Sequence, residues 1–183
     1  MFFPSKKYSA MVILLCVLLW SWLNATAYAE CGNTRDVTQT TFLLCTPETG
    51  NTIHTIPHNA NDLGNFDSSR RTFVLMHGFN EDGADWPSTE GFNAAFNAAG
   101  SFNLIYVNWH CLASPGTLYV RAAKNALKVG EYAGEFLDNL ISASGLSHAN
   151  LHLVGFSLGG QGVGAMGRKL EELTGSKADR FVV

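Results

Sequence analysis

The sequence predicts an α/β fold with a mostly parallel sheet. Short apolar runs without polar alternation, such as Thr72-Phe73-Val74-Leu75-Met76 and residues 102–107, are typical of strands that are buried on both faces. Stretches with helical periodicity separate these runs. Strands that alternate with helices indicate a parallel sheet joined by right-handed crossovers.

The elements follow in this order along the chain. Residues 40–45 and 51–56 are predicted antiparallel strands around a turn at 47–50, and 59–69 is predicted to be a loop. The buried strand at 72–76 comes next, then a helix over 91–99 and a strand over 102–107. A third buried strand at 151–154, a helix at 158–173 and the start of a fourth strand at 180–183 complete the pattern.

One long helix lies between the second and third buried strands. Its predicted buried face has apolar or small residues at spacings of three and four, namely Val120, Ala123, Leu127, Gly130, Gly134, Leu137 and Ile141. Glycine inside a helix costs about 1 kcal/mol relative to alanine. Either the helix approaches the sheet closely at these glycines, or the fold tolerates them there.

Residues 1–29 have the pattern of a secretory signal peptide. Lys6 and Lys7 precede an apolar stretch at 10–23, and Ala27-Tyr28-Ala29 is a small-x-small cleavage site. The apolar stretch is shorter than the roughly 20 residues that a membrane span requires. We therefore expect a secreted, extracellular protein whose mature chain has no transmembrane segment.

The net charge indicates which partners are disfavoured, and the cysteines indicate an oxidising compartment. The chain has 12 basic and 15 acidic residues, a net charge of −3, which argues against nucleic acid as a partner. Disulfides are favoured in an oxidising compartment. We expect Cys31 to pair with Cys45, which leaves Cys111 as the odd cysteine of the mature chain.

Residues 151–164 contain a G-x-S-x-G element with Ser157 between Gly155 and Gly159. When a strand turns abruptly into a helix, the central serine takes a strained conformation, and side chains at the two glycines would collide with nearby backbone. A flexible Gly/Ser loop is the alternative. The β-type residues before the element and the helical pattern after it favour a nucleophile elbow, with Ser157 as the nucleophile.

A serine nucleophile that attacks an acyl carbonyl needs two backbone N–H groups to hold the oxyanion. One comes from the residue after the nucleophile, here Leu158. His77-Gly78-Phe79 ends the first parallel strand and is placed to supply the other from Phe79. We expect His77 to shape this loop rather than to move protons.

Several motifs in this order resemble the pancreatic-lipase family, the secreted neutral lipases and phospholipases A1. The resemblance runs from about residue 40 to 183, and its motifs are His77-Gly78-Phe79, Val107-Asn108-Trp109, Ala122-Ala123-Lys124-Asn125, Val129-Gly130 and Val154-Gly155-Phe156-Ser157-Leu158-Gly159-Gly160-Gln161. It implies that residues 30–183 are the N-terminal part of an α/β-hydrolase domain, truncated at its C-terminal side. It also implies a carboxylic-ester hydrolase that cleaves triacylglycerol or phospholipid at a lipid–water interface. The sequence itself has no phosphate-binding G-x-x-x-x-G-K motif and no cysteine pairs at zinc spacing, so we expect no cofactor or metal.

The sequence departs from this family at a few positions. Asn108 stands where aspartate is frequent, Phe156 and Gln161 stand where histidines are common, and His110-Cys111 is unusual. None of these positions has a known catalytic role. The departures suggest a divergent member.

The rest of a catalytic triad does not follow Ser157. All six histidines precede it, and His152 lies five residues upstream on the same strand, roughly 15 Å away at the usual rise. Asp179 precedes the fourth strand and so falls at the wrong end of the sheet, where we expect a solvated loop carboxylate. Two interpretations remain: an incomplete copy of a lipase whose acid and base follow Val183, or a catalytically inactive lipase-like protein that binds lipid or a partner.

Overall fold

Six strands form one mixed sheet in the order β2-β1-β4-β3-β5-β6. The structure, a computed structural model, describes residues 31, 36–49, 52–81, 96, 98–113 and 118–183. The strands are β1 (Thr41–Cys45), β2 (His54–Ile56), β3 (Thr72–Met76), β4 (Asn103–Asn108), β5 (Leu151–Gly155) and β6 (Arg180–Val182). β3 pairs parallel with β4 and β5, and β5 with β6, whereas β1 is antiparallel to β2 and β4. The predicted α/β class is confirmed.

Each predicted strand is present, with ends that shift by three residues at most among those described. β3 has the predicted bounds, and the two N-terminal strands pair antiparallel as expected. Of the predicted helix at 91–99, only Phe96, Ala98 and Ala99 are among the described residues, and these are helical. The predicted signal peptide at 1–29 lies outside the described residues.

Three α-helices have described bounds: α1 (His110–Ala113), α2 (Tyr119–Ser144) and α3 (Leu158–Thr174). α2 ends at Gly145, whose φ of 72° lets its N–H bond to the carbonyl of Ile141. α3 ends in the same way at Gly175, with φ of 71°. A left-handed glycine is a common helix terminator because it has no Cβ to strain. No helix in this described part of the chain is long and apolar enough to cross a membrane.

The buried face of α2 differs from the predicted one. Val120 and Leu127 are 67% and 41% exposed. Gly130, Gly134 and Leu137 are buried as expected, but the buried stripe is completed by Ala122, Ala126, Val129, Ala133, Phe136 and Leu140. The prediction was therefore wrong at its N-terminal end, because small alanines rather than larger apolar residues face the core there.

Close approach explains the two glycines of α2, but the neighbour is α3 and not the sheet. A Cβ atom on Gly130 would lie 2.2 Å from the carbonyl oxygen of Gly162, and one on Gly134 would lie 2.9 Å from that of Met166. Any side chain at these positions would push the helices apart. The helices α2 and α3 therefore pack backbone to backbone.

The sheet has an apolar cluster on each face. α2 and α3 contribute to the larger cluster with the inward side chains of β1, β3, β4 and β5. Cys45 lies in the smaller cluster with Leu43, Leu75, Leu104 and Tyr106. The expected Cys31–Cys45 pair is wrong: Cys31 and Cys111 are each disulfide-bonded, whereas Cys45 is a buried thiol. Strand alternation directs Cys45 into this cluster.

Candidate active site

Ser157 occupies the sharp turn between β5 and α3. Its φ of 52° and ψ of −118° lie outside the regions that L-residues favour, as expected of a nucleophile elbow. The side chain does not cap the helix that follows. Ser157 is exposed, so its hydroxyl group is presented to solvent at the carboxyl end of the sheet.

The glycines on either side of Ser157 are required by contact with backbone. A Cβ atom on Gly155 would lie 2.6 Å from both the nitrogen and the Cα of Gly160. One on Gly159 would lie 2.1 Å from the carbonyl oxygen of Met76 and 2.6 Å from that of His77. The turn therefore closes only without side chains at these two positions.

The segment that follows β3, residues 77–81, lies beside the elbow. The N–H of Phe156 donates to the carbonyl of Met76 at 3.0 Å, which joins the two strand ends. The position that a Cβ on Gly78 would occupy is 3.1 Å from the Cβ of Ser157. β3 is flanked by β4 on one side and β5 on the other, and in parallel sheets such a change of direction is where ligands bind.

His77 is a structural residue of this segment, as expected. It is 1% exposed, and its Nδ1 lies 3.0 Å from the carbonyl oxygen of Gly78. The backbone N–H of Trp109 donates to Nε2 at 3.2 Å, and the Trp109 indole N–H donates to the His77 carbonyl at 2.9 Å. Because Nε2 accepts, Nδ1 carries the proton and donates to Gly78. Both ring nitrogens are therefore engaged in holding the segment.

Glu81 and Asn80 are parts of the site that the sequence did not predict. The Gly78 N–H donates to Glu81 Oε2 at 2.9 Å. Asn80 has φ of 61°, and its N–H donates to the carbonyl of Ala113 at 2.8 Å. An asparagine and a glutamate just after a strand-ending glycine are a weak signal for such a turn, since asparagine tolerates left-handed backbone and a carboxylate accepts nearby N–H groups.

Phe79 and Leu158, the predicted oxyanion donors, belong to the two segments that meet at the elbow. Leu158 is the first residue of α3, and the N–H groups of a first helical turn have no partner within the helix. Phe79 is half-buried, and its ring packs edge-on against Tyr119 with centroids 5.4 Å apart. Their role as oxyanion donors stays a prediction.

An apolar groove opens next to Leu158. It has a volume of about 430 Å³ and is lined by Tyr119, Val120, Ala123, Lys124, Leu127, Leu158 and Gln161. Phe156, beside Ser157, is 51% exposed. Phe156 and Gln161, two of the unusual positions, thus lie at the surface around the serine. Asn108 is the last residue of β4, and its side-chain oxygen accepts the N–H of His110, which follows the strand, at 3.1 Å.

His152 and Asp179 lie at the other end of the sheet from Ser157. His152 is near the start of β5, and Asp179 precedes β6. His152 Nε2 and Asp179 Oδ2 are 3.4 Å apart. Asp179 is exposed, as expected of a loop carboxylate, and it lies close enough to form an ion pair with His152 when the imidazole is protonated. Burial is the main cause that lowers the pKa of His152.

The described residues contain no group of three or more histidine, cysteine, aspartate or glutamate side chains that could hold a metal ion. The groups that this site offers for chemistry are the Ser157 hydroxyl, backbone amides, the Glu81 carboxylate and apolar surface.

Known proteins are similar to this chain in sequence. Residues 20–180 match the model of a family described as Lipase. The pancreatic triacylglycerol lipase of Oryctolagus cuniculus is 31% identical over 140 residues, which cover 75% of this chain and 29% of the relative. The Homo sapiens pancreatic triacylglycerol lipase is 32% identical over 133 residues, covering 71% and 28%. The pancreatic lipase-related protein 2 of Bos taurus is 36% identical over 135 residues, covering 70% and 28%. The chain thus spans less than a third of the length of these relatives.

Proposed function

The chain belongs to the lipase family, and from that premise we propose that its protein is a secreted hydrolase of carboxylic esters of lipids, with Ser157 as the nucleophile. The observation that carries this proposal is the strained, exposed Ser157 between two glycines that tolerate no Cβ. Strain at a single non-glycine residue is costly and persists where the surrounding structure imposes it. A nucleophile at a strand-to-helix turn is such a case.

In the proposed reaction, Ser157 Oγ attacks the acyl carbonyl carbon of the ester and its proton passes to a general base. The carbonyl oxygen becomes an oxyanion, which accepts hydrogen bonds from the N–H groups of Phe79 and Leu158. Collapse of this intermediate breaks the ester C–O bond, and the protonated base gives its proton to the departing oxygen, which leaves as the alcohol. Water then hydrolyses the acyl-serine by the same route.

Neither His77 nor His152 supplies this base. His77 has both ring nitrogens committed to the backbone, and His152 lies near the start of β5, away from the turn. Tests of the proposal use the full-length protein.

The exposed apolar surface around the serine supports the proposal that the substrate is a lipid. The exposed Phe156 is next to Ser157 in the chain. Leu158 lines the apolar groove together with Tyr119 and Leu127. Apolar surface of this kind suits acyl chains and a lipid–water interface. The relatives named for triacylglycerol lipase activity support the same class.

Secretion is proposed from two independent features. Residues 1–29 carry the signal-peptide pattern, and Cys31 and Cys111 are each disulfide-bonded. Structural disulfides persist in oxidising compartments and are rare in the cytosol.

Hydrolysis of p-nitrophenyl butyrate and of emulsified triacylglycerol tests the proposal. We expect Ser157→Ala to lower kcat by about 10⁶-fold, to background, as loss of a triad serine does. Ser176→Ala, the same change at an exposed position beyond the other end of α3, is the matched control and retains parental activity.

Labelling with a fluorophosphonate gives a second readout. The parent and Ser176→Ala proteins label, whereas Ser157→Ala does not. A Ser157→Ala protein that retains activity would exclude Ser157 as the nucleophile. A parent that binds lipid vesicles but neither labels nor hydrolyses esters would establish the inactive, lipid-binding interpretation instead.

A further inference from the structure

We propose that Glu81 is a positioning residue of the oxyanion loop, residues 77–81, and acts by holding the Gly78 amide so that the Phe79 N–H keeps its direction. This role rests on the proposed function, because it matters only if Phe79 donates to an oxyanion.

Glu81 forms a direct hydrogen bond to the Gly78 amide. The Glu81 side chain turns back along the chain, and its Oε2 accepts the Gly78 N–H at 2.9 Å. Glu81 is half-buried, so water competes less for this bond than at an exposed site. Hydrogen bonds to an ionised acceptor are about twice as strong as neutral ones.

The position of the carboxylate supports the same role. A single point, where a Cβ on Gly78 would lie, is 3.1 Å from Ser157 Cβ and 3.4 Å from Glu81 Oε2. A negative charge so close to the reacting serine repels a developing oxyanion. Electrostatics therefore disfavours a carboxylate here, and its bond to the Gly78 amide is what accounts for its position.

The peptide between Gly78 and Phe79 carries the Phe79 N–H. This peptide also contains the Gly78 carbonyl, and in a planar trans peptide the C=O and N–H point in opposite directions. The His77 ring holds the Gly78 carbonyl at 3.0 Å, while Glu81 holds the Gly78 N–H. Both torsions of Gly78 are thereby fixed, although glycine is the residue with the greatest backbone freedom.

The other side of Phe79 is held independently. The Asn80 N–H donates to the carbonyl of Ala113, and the carbonyl of Glu81 lies 3.3 Å from Nδ1 of His110. Loss of the Glu81 carboxylate therefore releases the Gly78 amide alone, and the rest of the loop keeps its restraints.

The test compares three variants at position 81, expressed from the complete reading frame. Rates are divided by the concentration of reactive serine from fluorophosphonate titration, so unfolded protein does not count. We expect Glu81→Ala to lower kcat by roughly 10- to 100-fold, as small misplacements of catalytic groups do, with KM changed by less than about twofold. Glu81→Gln keeps an acceptor oxygen and stays within about threefold of the parent, and Glu81→Asp, which is shorter, falls between them.

Affinity for an alkyl boronic acid gives a readout that a purely structural role would not move. The boronate forms a tetrahedral adduct on the serine with an oxygen in the oxyanion position, so its Ki rises in Glu81→Ala by the same factor as kcat/KM falls. Parental kcat and Ki in Glu81→Ala would overturn the proposal. An equal loss in Glu81→Gln would also overturn it, because the charge and not the hydrogen bond would then matter.

Failure of the proposed function has a different outcome. In that case either Ser157→Ala would retain activity, or the parent would neither label nor hydrolyse esters, whatever the variants at position 81 do.

Discussion

A Cβ atom on Gly159 would lie 2.1 Å from the carbonyl oxygen of Met76. The first turn of α3 therefore rests on the last peptide of β3. Because Ser157 precedes this turn and the oxyanion loop follows β3, the same contact sets the distance between the serine and the loop. The geometry of the candidate site thus depends on the lack of a side chain at position 159.

Gly159→Ala is expected to destabilise the protein by more than about 2 kcal/mol, since the backbone of β3 cannot yield as a flexible side chain can. The fraction that folds is expected to have a low kcat, because α3 must move away from the oxyanion loop. Urea unfolding measures the first effect, and ester hydrolysis per folded molecule measures the second.

Gly164→Ala is the matched control on the same helix. A Cβ there would meet only Nη1 of Arg168, at 3.6 Å, an ordinary contact. The helix propensity of alanine favours this variant by up to about 1 kcal/mol. Equal stabilities of the two variants would show that the first turn of α3 is not pressed against β3.

Two leucines of α2 test which face of this helix is buried. Leu137 is 0% exposed and Leu127 is 41% exposed, although both belong to the face predicted from periodicity. We expect Leu137→Ala to cost about 2–5 kcal/mol of stability and Leu127→Ala less than about 1 kcal/mol. Equal losses in thermal unfolding would restore the predicted face.

The sequence was sufficient to predict the strands, because buried parallel strands are apolar runs with clear ends. β3 was placed at its observed bounds for this reason. The elbow glycines were also predictable, since the strained turn excludes side chains on either side of Ser157.

Features that depend on neighbouring elements were not predictable from the sequence. The face of α2 follows from its backbone contact with α3 at Gly130, and a single-helix pattern contains no information about that contact. The pairing of Cys31 with Cys45 failed because strand direction sends Cys45 into the core. Glu81 was missed because a side chain that bonds to a backbone amide three residues earlier leaves no periodic signal.

The two ring nitrogens of His77 have separable roles, and two amide substitutions distinguish them. The amide nitrogen of asparagine lies near the Nδ1 position, so His77→Asn keeps a donor for Gly78 but leaves the buried Trp109 N–H without its acceptor. Such an unsatisfied group costs about 1–3 kcal/mol. We expect His77→Asn to lower stability and to keep most of kcat per folded molecule.

The converse holds for His77→Gln, whose amide oxygen reaches the Nε2 position and accepts from Trp109. This variant loses the donor to the Gly78 carbonyl. We therefore expect a lower kcat per folded molecule than in His77→Asn, and a smaller loss of stability. Thermal unfolding and active-serine titration separate the two effects. If both variants lost stability and kcat to the same degree, the two nitrogens would not have distinct roles.

His152 links stability to pH at the opposite end of the sheet. Burial lowers the pKa of His152 below its ordinary value of 6.5, and Arg71 and Arg180 lower it further, while Asp179 opposes them. The unfolded chain therefore takes up more protons than the folded protein once the pH falls below 6.5. The stability linked to His152 is fully present above pH 6.5 and is lost as the pH falls towards the lowered pKa of the folded state.

Three variants check this assignment by urea unfolding across that range of pH. We expect His152→Gln to make the free energy of unfolding depend less on pH below pH 6.5. Asp179→Asn removes the charge that favours protonated His152, so the loss of stability in this variant extends to lower pH. Arg71→Gln removes a charge that lowers the pKa of His152, so the pKa rises and less stability is lost. Because the last two substitutions remove opposite charges near the same ring, curves displaced in the same direction would assign the pH dependence to other groups.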